Sequence, residues 1–261
     1  MGGRGSKNKH AADGGFTESE RVHSMISDIS KRHHYSIAYN RVGLLSHKET
    51  EKESIAAIAG GDLTEGSCAS AALAYAMRRQ GYDVTDFRGS DSREFFSKNA
   101  QTLNSDYISA RGRNITELFA SKGYHNLHID GVKSISSTRA GDFAAAHEVL
   151  GKAEAGKEYL LAAGAHMAVV KKTESGWQYL ELQSRSDNGW KSMENPAYKG
   201  RKTAVDRVLK YRFGANNSKG YIHQATLIDA TSLKGNEMLT LAGYFNAKGM
   251  KEHKGANGHE R

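Results

Sequence analysis

EYLLAAGAHMAVVKKTESGWQYLELQ, residues 158–183, is the stretch that sets the architecture of this chain. It divides into three strand-like runs: Glu158–Ala163, Ala165–Lys171 and Trp177–Gln183. The last alternates apolar and polar residues cleanly, and Thr173-Glu174-Ser175-Gly176 is a turn signal before it. With a four-residue loop at 173–176, Lys172 lies opposite Trp177, Ala168 opposite Glu181 and His166 opposite Gln183. Residues directly opposite one another project to the same face. His166, Ala168 and Val170 therefore share a face with Gln183, Glu181 and Tyr179. Met167, Val169, Leu180 and Leu182 take the other face and read as core.

Upstream of these strands the pattern is helical. Phe16–His34 reads as a helix capped by Thr17, with Glu18 and Glu20 in its first turn and Lys31 and Arg32 in its last. Ser46-His47-Lys48-Glu49 resembles a capping box opening a second helix that stops at Gly60-Gly61. Cys68 begins a third, alanine-rich helix closed by Gly81, and Tyr82-Asp83-Val84 is a short extended piece. Ser92–Ala100, Ile115–Lys122 and Ala144–Ala153 read as further helices. Downstream, Val208–Phe213 and Tyr221–Ile228 read as strands, and Ser232 or Asn236 opens a last helix to about Tyr244. Helices first and a meander of strands after predict an α+β fold rather than alternating βαβ units. Residues 1–16 and 246–261 are Gly-rich, charged and poor in aliphatics, and read as disordered tails around a single domain at 17–245.

The bulk numbers narrow the function classes. No run of 18 apolar residues exists, so no transmembrane helix is expected. The N-terminal residues have no apolar core of the kind a Sec signal peptide needs. The net charge of +8 is spread along the chain, which permits weak attraction to nucleic acid, although a solvated basic surface is its usual meaning. His33-His34, His125 and His128 lack clustered Cys, Asp or Glu at ligand spacing, and no metal or cofactor is expected. Gly60-Gly61 lacks the Lys-Ser/Thr of a phosphate-binding loop and reads as a helix stop.

Cys68 is the only cysteine in 261 residues. A lone cysteine is commonly a small buried hydrophobe. This one sits in the first turn of a helix, where unpaired N–H groups and the positive end of the dipole favour thiolate over thiol. A Cys at a helix start, a His on a strand and an acid or amide on the next strand is the order a papain-type site requires. The thiolate attacks a carbonyl, His166 protonates the leaving amine, and Glu181 or Gln183 orients the imidazole.

The run from Cys68 to Val84, with Arg78-Arg79-Gln80-Gly81-Tyr82-Asp83-Val84 at its end, resembles the papain-fold toxins of bacteria and their phages. The His166 strand, Leu180-Glu181-Leu182-Gln183 and Arg212-Phe213-Gly214 are similar to later motifs of that family, and the likeness spans roughly residues 64–215. The resemblance implies a papain-like cysteine hydrolase core with Cys68 as nucleophile, His166 as base and Glu181 in place of the family's Asp, with Gln183 in reserve. It implies a glutamine deamidase or peptidase acting on a protein substrate. It also implies an immunity protein or phage structural protein as a partner, and action in a cytoplasm or delivery from a phage particle. Leu182 stands where the family has proline.

A papain-like oxyanion hole adds a side-chain amide just upstream of the nucleophile. Residues 61–67 contain no Gln or Asn, and Asn40 is the nearest upstream amide. Trp177, Tyr179 and Trp190 read as packing residues, although the tight turn Asp187-Asn188-Gly189 would set Trp190 at a cleft edge. The sequence thus carries two readings. One is a cysteine-dependent amidohydrolase. The other is a structural or binding protein of a phage particle that keeps the fold without catalysis.

Overall fold

Residues 16–33, 39–59, 68–85, 129–164, 166–184, 186–214 and 222–246 are described by a computed structural model of the chain. In chain order the elements are α1 (Glu20–His33), β1 (Gly43–Leu44), α2 (Glu51–Ile58), α3 (Cys68–Arg79), β2 (Tyr82–Asp83), β3 (Ser134–Thr138) and α4 (Ala144–Leu150). They continue with β4 (Glu158–Ala163), β5 (His166–Thr173), β6 (Gly176–Glu181), β7 (Gly189–Ser192), α5 (Asp206–Tyr211), β8 (Gln224–Asp229) and α6 (Asn236–Gly243). The fold is α+β. Residues 1–15 and 247–261 of the expected tails, the helices expected at 92–100 and 115–122, and Gly60-Gly61 lie outside the described residues, whereas Phe16 packs against the core and Asn246 is buried.

The main sheet is antiparallel in the order β3-β8-β4-β5-β6-β7, and β1 pairs with β2 in a separate two-stranded sheet. Tyr159 to Ala163 on β4 and Met167 to Val170 on β5 are all buried. Two central strands without a solvent face explain why both runs read as continuously apolar. Alternate residues serve two cores. Leu160, Ala162, Met167, Val169, Leu180 and Ile228 pack with α3, Val22 and Ile26 of α1, and Met238, Leu239 and Leu241 of α6. Leu161, Ala163, Ala168, Val170 and Tyr179 pack with Ala145, Ala146 and Val149 of α4 and Leu209 of α5.

Helix α3 is buried from Ala69 to Arg78. Five of those ten residues are alanine, which lets the helix backbone come close to the sheet. Its polar end is held by a buried ion pair: the guanidinium of Arg78 donates from Nε to Glu49 at 2.9 Å and from Nη2 to the same carboxylate, and Nη1 donates to Asp83 at 3.2 Å and to the Val84 carbonyl at 3.1 Å. Ser54 adds a hydroxyl donor to Glu49 at 2.9 Å.

Several expectations are corrected. Glu49 ties α3 down instead of closing a capping box. The box is Thr50–Glu53, in which the Glu53 N–H donates to Thr50 Oγ1 and the Thr50 N–H to Glu53 Oε2, and the helix starts one turn later than expected. Ser19, not Thr17, caps α1, accepting from the Val22 N–H. The hairpin turn is two residues, Glu174-Ser175, because Thr173 and Gly176 pair. The segment read as a strand at 208–213 is helix α5 and the turn after it. Its place in the sheet is held by β8, which runs between β3 and β4 and breaks the simple meander. Strands β3 and β7 were not anticipated; both are short, polar edges, as edge strands tend to be.

Replacing Arg78 by Met leaves Glu49 buried without a counter-charge, and a loss of about 3 kcal/mol is expected in urea unfolding. The Arg78 guanidinium holds the Glu49 carboxyl below its ordinary 4.5. The pair's stabilisation is therefore complete above about pH 4.5 and is lost as the pH falls through the lowered value. The R78M variant should lose this part of the acid dependence.

Candidate functional site

The sheet opens at the start of β5. The β5–β6 ladder has the register counted from the sequence, with Lys172 opposite Trp177, but its last pair is Val170–Tyr179. The pairs Ala168–Glu181 and His166–Gln183 are not formed. From there β5 pairs only with β4, ending at Ala163–His166, and β6 pairs on with β7 to Glu181–Gly189.

Arg212 and Phe213, from the turn after α5, lie against residues of this opening. Phe213 is fully buried, and its ring stands edge-on to the His166 imidazole with centroids 5.3 Å apart. The Arg212 guanidinium forms an ion pair with the Glu181 carboxylate, which is only 5% exposed. The Gln183 backbone N–H donates to the other oxygen of Glu181 at 2.9 Å. Gly164, at φ +59°, makes the close approach possible. A Cβ there would stand 2.5 Å from the Phe213 carbonyl oxygen and 2.8 Å from that of Gly214.

The electrostatics follow from this packing. Burial pushes the imidazole of His166 down to about 4, and the positive charge of Arg212 adds to the shift. His166 is therefore a neutral base at neutral pH. Glu181 is engaged by Arg212 and by the Gln183 N–H, and no hydrogen bond joins it to the imidazole.

Cys68 occupies the first position of α3, half-buried against the α3-side core. The place of α3 can be read from its contacts. Tyr75, two turns on, donates its hydroxyl to Glu158 at 3.4 Å, and Glu158 is paired with Lys171. The middle of α3 thus lies by the Lys171 end of β5, the strand on which the helix packs. The His166 ring meets the other core edge-on, through Phe213. His166, Glu181 and the Gln183 backbone are thus gathered with Arg212 and Phe213 at one opening, and Cys68 lies on the α3 side of the sheet.

Family models, curated proteins and solved structures return no match to this chain.

Asn40 is tied to the end of α6. Its side-chain amide donates to the Asn246 carbonyl at 2.8 Å, and its own N–H donates to Gly243 at the end of α6. Trp190 lies on β7, with the Lys171 ammonium 3.7 Å from its ring centroid. Among the described residues no group of three His, Cys, Asp or Glu side chains is arranged to hold a metal. Arg212 is the site residue whose role sequence reasoning missed. The motif Arg212-Phe213-Gly214 is visible in the sequence, but a strand at 208–213 gives no reason for a guanidinium to reach Glu181.

An NMR titration of the histidine ring protons should place His166 near 4, and Arg212→Gln should move it upward. Because the native value lies below the ordinary 6.5, the neutral ring stabilises the fold above about pH 6.5. That contribution falls between pH 6.5 and about 4. A His166 value at or above 6.5 would contradict the burial described here.

Proposed function

We propose that this protein is a papain-like cysteine hydrolase acting on amide groups of a protein substrate, with glutamine deamidation as its reaction. The observation that carries the reading is that α3, which begins with Cys68, packs on β5, which begins with His166. The helix start favours the thiolate. A neutral imidazole at that strand end is the form that accepts a proton from the thiol. The Cys68 sulfur then attacks the side-chain carbonyl carbon, the imidazolium gives its proton to the nitrogen, and the C–N bond breaks so that ammonia leaves and a thioester remains. Water, deprotonated by the same imidazole, attacks the thioester, leaving a glutamate carboxylate and the thiol. Glu181 orients His166 only if Arg212 releases it; otherwise Arg212 and Phe213 position the ring.

A second reading rests on a specific observation. Glu181 is taken by Arg212, and the His166 ring meets, edge-on, the core opposite the one that receives Cys68. This favours a structural or binding protein that keeps the fold without catalysis.

Alkylation by iodoacetamide at about pH 6, below an ordinary thiol's range, separates the two. The hydrolase reading expects Cys68 to react at least tenfold faster than a free-cysteine peptide, and His166→Ala to abolish the advantage. Equal rates for the protein, the variant and the peptide would reject it. Cys68→Ala should unfold at the wild-type temperature and release no ammonia from glutamine-containing proteins.

A further inference from the structure

We infer that the exposed surface formed by residues 196–202 and α5 binds single-stranded nucleic acid. The segment from Tyr198 to Arg212 holds six Lys or Arg and one acid, Asp206. That acid is engaged by the His147 Nε2 at 2.7 Å. Lys199, Arg201, Lys202, Arg207 and Lys210 are all exposed, and none of the five is paired with a carboxylate of the described residues.

The local fold gathers these charges. The Asn195 N–H donates to the Ala204 carbonyl at 2.9 Å, folding the Pro196–Tyr198 turn back beside the start of α5. On α5 itself Leu209, with Val205 one turn before it, is buried. Arg207, Lys210 and Tyr211, at i, i+3 and i+4, then form one outward face.

Two aromatic rings stand among the cations. Tyr198 is 47% and Tyr211 71% exposed, and the only other large apolar side chain so exposed among the described residues is Leu44. The Lys210 ammonium lies 5.6 Å from the Tyr211 ring centroid. An acidic peptide would need only the cations. Exposed flat rings beside cations match the combination that binds single strands, where phosphates meet Lys and Arg and unpaired bases stack on aromatic faces. The inference stands apart from the proposed hydrolase activity and does not require Cys68.

The test is fluorescence anisotropy of labelled 20-nucleotide oligo(dT) and oligo(U) with the full chain. Neutralising about five phosphates gives a log–log salt slope of about −3.5, or roughly a hundredfold loss between 50 and 200 mM salt. R207A/K210A should lower the slope by about 1.4. Y211A should weaken binding by about fivefold or more with the slope unchanged. Lys234→Ala, an exposed cation elsewhere, should bind as the wild type does. Binding of oligo(U) but not oligo(dT), or the reverse, identifies RNA or DNA as the source of the strand and supports the inference. Wild-type affinity in both surface variants, tighter binding to a duplex of equal length, or equal displacement by polyglutamate would overturn it.

Discussion

From Tyr159 to Ala163 and from Met167 to Val170, strands β4 and β5 have no face in water, and the rest of the fold is arranged around that constraint. A sheet with one wet face can alternate apolar and polar residues. Here alternate residues of the two central strands must each find a core, one built on α3 and the other on α4 and α5. The α3 side is reached by a helix rich in alanine, which approaches the sheet closely but carries little apolar bulk. Leu73, Tyr75 and Met77 supply it, each fully buried and contributing about 1.5–3 kcal/mol. The Glu49–Arg78–Asp83 cluster fixes the other end of that helix, where a buried guanidinium could not stand unpaired.

The candidate site lies where this two-sided burial comes to an end. Beyond Val170 and Tyr179, β5 and β6 no longer pair, and polar side chains occupy the opening. Arg212 acts on two groups there with opposite consequences. It supplies the counter-charge that lets Glu181 remain buried, and it disfavours the charged form of His166. A neutral imidazole beside an engaged carboxylate is a different resting state from an imidazole held by its own acid. It gives the base its uncharged form by desolvation instead of by a partner.

Much of this was legible in the chain. Glu158–Ala163, the helix from Cys68 and the face shared by His166, Ala168 and Val170 follow from periodicity, because local side-chain alternation is a property of the strand itself. The hairpin register from Lys172 and Trp177 was legible for the same reason. The end of the ladder was not, since nothing local in Ala168 or Glu181 says that their strands part. The segment 208–213 misled because Val208, Lys210 and Arg212 alternate with Leu209, Tyr211 and Phe213 as a strand would. Helix won because the sheet position beside β4 belongs to β8, and Leu209 buries one turn after Val205.

The sequence by itself determined an α+β chain with a thiol at a helix start, a histidine at a strand start and an acid on the following strand. These are local facts, set by spacing, capping and turn chemistry. Only the tertiary structure decided that Arg212 meets Glu181, that Phe213 meets His166 edge-on, and that Cys68 and the His166 ring serve different cores. These contacts join segments distant in sequence. They are settled by which apolar faces can be buried together, a competition that no single stretch of residues records.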